Sequence, residues 1–361
     1  MEIKDADKKR LLEDLVLSHA PHIRDTQSVP LVMWLVVLAL LPATVFSCYI
    51  YGLYVALVIA VSIISALISE SIMQYLLKKP ITINDGSAVI TGLLLAMNLP
   101  PHVPLWIPAI GSAFAIIIAK QLFGGLGYNI FNPALAGRAF LLASWPVEMT
   151  TLWHKFPGGH VITQNPIFDP SMPQQLVDSI SGATPLGALK EGPKVLHELS
   201  LQTQPLYDFL FSKAMIKSLF IGNIGGCIGE TSALLLLIGA LLLLWKRIIT
   251  WHIPVSYIAT VALIMGIYYY FQGIPNLQYA ILFHVLSGGL ILGAFFMATD
   301  MVTSPVTKTG MIIFGIGCGI LASVIRLWGG YPEGVSYSIL LMNAVTPLID
   351  RLTRPRVFGT R

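Results

Sequence analysis

The chemistry this sequence offers most clearly rests on a threonine in a polar segment. Ser181-Gly182-Ala183-Thr184 lies within residues 148–213, a long polar stretch of a chain otherwise rich in apolar runs. A phosphoester needs a single oxygen nucleophile, which the Thr184 hydroxyl supplies, and Gly182 and Ala183 leave room for a modifying enzyme to reach it. Ser181 offers a rival hydroxyl. Small and hydroxyl residues beside a proline also form ordinary turns, so the tetrapeptide alone leaves both interpretations open.

Carboxylates at membrane depth or at a membrane edge are the second chemical feature. They are Glu70, Asp85, Glu230, Asp300 and Asp350. Such acids are rare in membrane segments and indicate an ion or proton path by default. Asp300 could instead cap a turn, and Asp350 could form a surface salt bridge. We predict that Glu230, Asp300 and Asp350 contribute to an ion path.

A glycine- and asparagine-rich segment, 124–133, is the third feature. Its glycines allow the backbone to approach a flat ligand closely, and Asn129 and Asn132 offer amide groups that could bind the polar edge of a flavin. Asn132 could equally cap a helix that begins at Pro133. Arg138 follows in the next apolar run, where it could pair with an acid or hold a phosphate or carbonyl.

Composition places these residues in a polytopic membrane protein. The 361 residues are 55% hydrophobic and 11% charged, whereas soluble domains carry about 25% charged residues. The net charge of +4 is small, and no long basic tract suggests nucleic acid. The eight histidines and three isolated cysteines show no metal-ligand spacing, so no metal site is predicted. No dinucleotide or phosphate-loop motif is present, which argues against NAD binding by this chain.

The apolar runs predict an all-α protein with about ten transmembrane helices. We divide it into a cytoplasmic N-terminal segment 1–29, a first five-span repeat 30–147, a polar loop 148–213, a second five-span repeat 214–350 and a basic tail 351–361. The predicted spans are 30–47, 50–77, 86–99, 104–123, 133–147, 218–245, 252–271, 278–299, 309–328 and 335–350.

Charge asymmetry predicts the orientation. The loop 148–213 contains no arginine, whereas the arginines of both termini and of the loop near Arg247 fall on the opposite side, where Lys120 is also placed. The positive-inside rule therefore predicts cytoplasmic termini and an extracytoplasmic loop. Short or glycine-broken spans in both halves predict two inverted repeats. An acid two residues before Ser-Ala occurs at Asp85 and again at Glu230, which favours this interpretation.

The ordered motifs resemble one family along nearly the whole chain. The resemblance includes Ser18–Arg24, Leu93–Pro101, Ala119–Gly127, Phe131–Arg138, Gly222–Glu230, Thr299–Pro305 and Tyr331–Gly334. Asp178-Ser-Ile-Ser-Gly-Ala-Thr184 is similar to a flavinylation signature. The family comprises the D subunits of Rnf electron-transport complexes and the B subunits of sodium-pumping NADH:quinone reductases. Val302–Thr307 is more similar to the Rnf branch.

The resemblance implies an electron carrier without catalytic residues of its own. Thr184 would carry FMN through a phosphoester, with Asp178, Ser181, Gly182 and Ala183 forming the pattern that a flavin transferase recognises. A non-covalent riboflavin would lie within the spans, near Asn129 and Asn132, and Asp300 and Asp350 match acids implicated in sodium uptake.

The implied setting is the bacterial inner membrane, in a complex that couples electron transfer between reduced ferredoxin and NAD to transport of Na⁺ or H⁺. Iron–sulfur, NAD-binding and second covalent-FMN subunits would be its partners. Two alternatives stay open at this point: a membrane component of the quinone-reductase type, and a flavin-free inverted-repeat channel or transporter.

Overall fold

A computed structural model describes residues 28–151, 184–198, 204–222, 224–331 and 333–354. These residues form helices and turns, with no strand among them. Asp178, Ser181, Gly182 and Ala183 lie outside the described residues.

Among the described residues, six helices begin before residue 148, where the polar loop starts. They are α1 (Val29–Tyr51), α2 (Leu53–Leu76), α3 (Ser87–Met97), α4 (Trp106–Ile116), α5 (Pro133–Ser144) and α6 (Pro146–Thr151). A π-helical turn, Ile117–Gln121, extends α4, and a short 3₁₀ turn, Ile83–Asp85, precedes α3.

The described part of the polar segment and its end contain three further helices. They are α7 (Pro185–Glu198), α8 (Gln204–Leu210) and α9 (Lys213–Ile221). The remaining helices are α10 (Ala233–Trp245), α11 (His252–Phe271), α12 (Leu277–Leu286), α13 (Leu290–Leu292), which continues as a π turn Gly293–Met297, α14 (Lys308–Trp328) and α15 (Val335–Leu352).

Helices occupy every predicted span, but not all are long enough to cross a bilayer. Among the described residues four helices, α1, α2, α11 and α14, are long and apolar enough to span a membrane. A fifth candidate is α12 with α13 and its π turn, which are bent by 58° at their junction. Three shorter apolar helices, Ser87–Met97, Trp106–Gln121 and Ala233–Trp245, accompany them.

Glycines mark the points where helices break. Gly222 ends α9 with φ 111°, and the chain then passes through a 3₁₀ turn, Ile228–Glu230, before Ser232 caps α10. Gly288 and Gly289 have φ 67° and 64° at the bend between α12 and α13. Positive φ is unfavourable for other residues, so glycine allows these reversals of direction.

The two halves pack in the same order. In the first half α2 packs against α3 and α4, and α4 packs against α5; in the second half α11 packs against α12 and α14, and α14 packs against α15. The halves meet where α1 packs on α10 and where α5 packs on α15. In this packing order, α3 of the first half corresponds to the α12–α13 pair of the second half. The Asp85 and Glu230 motifs predicted a different correspondence, between the start of α3 and the segment before α10.

Candidate functional site

A cavity of about 130 Å³ brings together residues that the sequence had singled out separately. Asn129, Asn132 and Asp300 line it, together with Lys120. Its apolar walls come from α1, α3, α10 and the π turn after α13, and include Leu94, Phe295 and Phe296. We call it the inner cavity. It offers a largely apolar space with a polar edge, as small-molecule sites commonly do.

Helix capping fixes Asn132 in the inner cavity. Its Oδ1 accepts hydrogen bonds from the backbone N–H groups of Ala134 (3.1 Å) and Leu135 (3.3 Å), while its Nδ2 donates to Met297 O (3.2 Å). The predicted cap of a helix beginning at Pro133 is therefore confirmed. The same side chain also ties the start of α5 to the end of the π turn in the other half.

Asn129 and Asp300 meet at the same edge. Asn129 Nδ2 donates to Phe131 O (3.2 Å), and the Asn129 side chain also lies near the Asp300 carboxylate, where it lowers the pKa of that group. Asp300 accepts from Val302 N (3.4 Å) and Thr303 Oγ1 (3.2 Å), which confirms the predicted role in a turn. Burial raises the pKa of the Asp300 carboxyl, and these hydrogen bonds counteract the rise.

Sequence reasoning missed a buried cluster beside this cavity. Lys120 Nζ lies 2.6 Å from Glu70 Oε1 and 2.6 Å from Ser87 Oγ, and Ser87 donates to Asp85 Oδ1 at 2.6 Å. The Lys120 side chain, placed by its sequence on the cytoplasmic side, is 2% exposed. The π turn that contains Lys120 also brings Gln121 Nε2 within 2.8 Å of Glu70. Glu70 and Lys120 are about fifty residues apart in the sequence, and no pattern in the sequence indicated that their side chains meet.

Arg138 lies away from the inner cavity, in a second buried cluster where the halves meet. It is ion-paired with Glu333, and it donates to Asn98 Oδ1 (2.9 Å) and Ser336 Oγ (2.8 Å). The ion pair with Glu333 is the pairing with an acid that the sequence analysis left open for Arg138. Contact with a cofactor stays a prediction.

Glu230 belongs to the same cluster. One ligand atom each from Cys227, Glu230 and Glu333 lies within 4.8 Å of the others. A cation here would compete with Arg138, which already neutralises Glu333. Asp350 is separate from this cluster: its Oδ1 accepts from Val306 N at 3.1 Å, and no ion pair of Asp350 is present among residues the structure describes.

Thr184 begins helix α7. Its Oγ1 accepts the backbone N–H of Gly187 (3.1 Å) and its carbonyl accepts that of Ala188 (2.8 Å), which makes it the N-cap residue. The residue is 3% exposed. The N-terminus of a helix favours a phosphate, because its free N–H groups and its dipole both attract negative charge.

Thr184 and the inner cavity lie at opposite ends of α14. Lys190 of α7 donates to Gly329 O and to Tyr331 O (3.0 Å), directly after the last residue of α14. The segment containing Asp300 leads into the first residue, Lys308, where Thr307 caps the helix. The two regions therefore contact opposite ends of α14, which has 21 residues. The bent pair α12–α13 brings them closer together, because Leu186 of α7 lies against Gly288, seven residues before Phe295 of the inner cavity.

Known proteins resemble this chain along almost its full length. The model of the NQR2, RnfD, RnfE family matches residues 16–359. The D subunit of a proton-translocating ferredoxin:NAD(+) oxidoreductase complex from Clostridium ljungdahlii is 49% identical over 349 residues, covering 96% of each chain. The D subunit of a Na(+)-translocating complex of the same type from Acetobacterium woodii is 47% identical, again covering 96% of each chain.

A third relative comes from a different organism. The D subunit of an ion-translocating oxidoreductase complex from Stutzerimonas stutzeri is 42% identical over 336 residues, covering 92% of each chain. The full-length match of both the family model and these relatives confirms the resemblance found in the sequence motifs. The chain is a member of the NQR2, RnfD, RnfE family.

Proposed function

We propose that this chain is the flavin-carrying membrane subunit of an Rnf-type complex. In that complex it would pass electrons between reduced ferredoxin and NAD, through partner subunits, while the complex moves Na⁺ or H⁺ across the membrane. The observation that carries the proposal is end-to-end similarity to members of complexes whose names state this activity. One of those names specifies protons and the other sodium, so both ions stay open. The names of the three relatives favour this branch over the quinone-reductase branch.

The covalent flavin is placed on Thr184. The hydroxyl sits at the N-terminus of a 14-residue helix, where a phosphate would be stabilised. Thr184 Oγ1 already accepts a hydrogen bond from Gly187 N, and the oxygen of a phosphoester at this position could still accept one. Since Thr184 is 3% exposed, we expect the transferase to act before the chain has folded completely around this hydroxyl. FMN would supply one-electron transfer, and this chain would fix its position at one face of the membrane.

A second, non-covalent flavin of the riboflavin type would occupy the inner cavity. The asparagine amides fit the polar edge of an isoalloxazine, and Leu94, Phe295 and Phe296 fit its apolar faces. The volume of about 130 Å³ is below the several hundred Å³ usual for small-molecule sites, so we expect part of the ring system to lie in the cavity and part beyond it. Flavins at opposite ends of α14 would form two stations of an electron path across the membrane.

The ion path would use Glu230, Asp300 and Asp350. Asp300 and Asp350 border the same segment, because Asp350 holds Val306 and Thr346 Oγ1 donates to Thr303 O (3.0 Å). Glu230 lies at the junction of the halves, near a break in the helices. In this proposal a cation would enter at the Asp300 end and bind next at the half-buried Glu230 carboxylate.

We further infer ten spans in two inverted five-span repeats, cytoplasmic termini and a location in the bacterial inner membrane. The matching packing order of the halves and the breaks at Gly222 and Gly288–Gly289 support the repeat. Short helices such as α3 and α10 would cross the bilayer only together with the segments that precede or follow them.

The test is assembly of the chain with its partner subunits and a flavin transferase. Purified complex in vesicles should reduce NAD with reduced ferredoxin and accumulate Na⁺ or H⁺, and the denatured chain should fluoresce on a gel. A complex that transfers electrons at full rate without this chain would contradict the proposal. A colourless chain that transports ions without any redox partner would favour the transporter alternative.

A further inference from the structure

A second cavity lies at the end of the molecule where Thr184 is found. Its volume is about 360 Å³, and it lies between α7, α11, α12 and α14. Leu186 and Lys190 line it from α7, and Tyr268, His284 and Arg326 line it from the facing helices. We call it the outer cavity. The helix that begins at Thr184 therefore forms one of its walls.

The wall of the outer cavity is positively charged. Its lining includes Lys190, Lys194 and Arg326 but neither aspartate nor glutamate. Lys194 is ion-paired with Glu191, so Lys190 and Arg326 supply the positive charge that has no ion-pair partner among the described residues. The Arg326 guanidinium donates to two backbone carbonyls, His284 O (2.6 Å) and Ser287 O (3.0 Å), and forms no ion pair among the described residues. Glu230 acts on it only from a distance. The lining thus favours a ligand with negative charge.

Two buried nitrogen atoms in this wall, His284 Nδ1 and Arg326 Nε, have no hydrogen-bond partner in the part of the chain that the structure describes. The His284 and Arg326 residues are 2% and 6% exposed. The other ring nitrogen of His284 is held by Tyr269 Oη at 3.0 Å, which fixes the ring. Buried polar atoms normally have a partner, so these two indicate a hydrogen-bonding group that the described residues do not supply: an acceptor for Arg326 Nε, and a donor or an acceptor for His284 Nδ1, according to its tautomer.

Aromatic side chains complete the wall: Tyr207, Tyr268, Tyr269 and Trp328. Tyr269 is stacked on His284 with ring centroids 5.4 Å apart, and Tyr207 on Phe211 at 5.9 Å. Flat aromatic faces suit a flat ring system, while cations at the edge suit one that becomes negative.

We propose that the outer cavity receives the isoalloxazine ring of the flavin on Thr184, with Lys190, His284 and Arg326 around the ring edge that becomes negative on reduction. This inference rests on the proposed attachment at Thr184. Lys190 lies six residues after Thr184, about 9 Å along the helix, so the cavity extends away from the attachment point within reach of one cofactor. The Lys190 ammonium has three N–H donors, and the two backbone carbonyls that it binds leave one donor for the ring.

The role of these residues is electrostatic positioning. Each electron that enters the ring from a partner subunit adds negative charge, and nearby cations stabilise the charged form. Loss of one cation should therefore lower the midpoint potential of this flavin. Attachment to Thr184 should be unaffected, because the ester forms at the other end of the cofactor.

The test uses the full-length chain, purified after co-expression with a flavin transferase. Lys190→Met removes a cation from the wall, and Lys217→Met, on the exposed surface of α9, makes the same charge change elsewhere. Both should keep the gel fluorescence of the wild type. Redox titration should show a lower midpoint potential for the covalent flavin in Lys190→Met only. The Thr184→Asn variant cannot form the ester, so the redox transition that is missing from its titration belongs to the covalent flavin.

A second variant tests ring contact without changing charge. Tyr268→Leu should increase native flavin fluorescence relative to the denatured chain, because an aromatic ring against the flavin quenches it. Equal potentials in Lys190→Met and Lys217→Met would overturn the proposal. Equal potentials together with loss of co-purified anionic phospholipid from Lys190→Met would assign the cavity to a lipid headgroup instead. Absence of gel fluorescence in the wild type would refute the attachment at Thr184 and is thereby distinguished from these outcomes.

Discussion

Arg138 of the first half is ion-paired with Glu333 of the second half, 195 residues further along the chain. Both side chains are 10% exposed. Asn98 and Ser336 also bind the guanidinium, so the cluster joins α5, the end of α3 and the start of α15. The contact adds an ion pair to hydrogen bonds that also join the two halves, such as Asn132 Nδ2 to Met297 O.

This pair should contribute strongly to stability. Glu333→Gln removes the carboxylate that is ion-paired with the buried Arg138, and breaking a buried pair in this way costs about 3–5 kcal/mol. We expect a clearly lower midpoint of thermal unfolding for the detergent-purified chain. Glu191→Gln is the matched control, because its pair with Lys194 is 60% and 64% exposed and such surface pairs contribute about 0–1 kcal/mol. Equal midpoints for the two variants would show that the Arg138–Glu333 pair does not hold the halves together.

The ion path can be tested by neutralising its three carboxylates. Glu230→Gln, Asp300→Asn and Asp350→Asn keep the side-chain size, and the new amide oxygen of residue 350 can still accept from Val306 N. We expect ion uptake by vesicles containing the whole complex to fall more than flavin content or ferredoxin oxidation. Glu191→Gln again serves as the control for loss of a carboxylate. Unchanged uptake in the triple variant would leave these residues with structural roles only.

The orientation predicts which segments a reagent outside the cell can reach. Single cysteines at Gln175 and Lys9, in a variant with Cys48, Cys227 and Cys318 replaced by serine or alanine, give the two test positions. A membrane-impermeant maleimide should label Gln175→Cys in intact cells and Lys9→Cys only after lysis. The opposite pattern would reverse the topology, and with it the side on which Thr184 lies.

The sequence predicted the positions of the apolar helices well, because apolar runs of helical length and a cap residue such as Asn132 act locally. It did not predict α7 and α8, which lie within the segment 148–213 that was predicted as a loop. It did not predict which polar groups meet. Lys120 and Glu70 are brought together by a π turn and by packing of α4 on α2, neither of which leaves a periodic signal. Arg326 and His284 were likewise separate residues in separate spans. Long-range contacts of this kind depend on the tertiary arrangement of the helices.

The second flavin depends on the amides of the inner cavity. Asn129→Ala with Asn132→Asp removes both amide donors, while the aspartate keeps the oxygen that caps α5. Acid extraction should release less non-covalent flavin from this double variant than from the wild type, whereas the fluorescence of the denatured chain should not change. Asn276→Ala, in the loop before α12 and outside the cavity lining, is a matched control. Absence of any extractable flavin from the wild type would show that the site is wrong.

Attachment at Thr184 can be separated from the capping role of the same side chain. Thr184→Val removes both the nucleophile and the acceptor for Gly187 N, and loss of such a cap costs about 1 kcal/mol. Thr184→Asn removes the nucleophile but supplies a good capping oxygen, so helix α7 should persist. On a denaturing gel, both variants should be dark under ultraviolet light when expressed with the transferase, while Ser181→Ala should still fluoresce, more weakly at most. Wild-type chain from a host without the transferase should also be dark. Because Thr184→Asn preserves the cap, a dark band for that variant cannot be attributed to loss of the helix. A fluorescent band from Thr184→Asn or Thr184→Val would place the flavin on another residue.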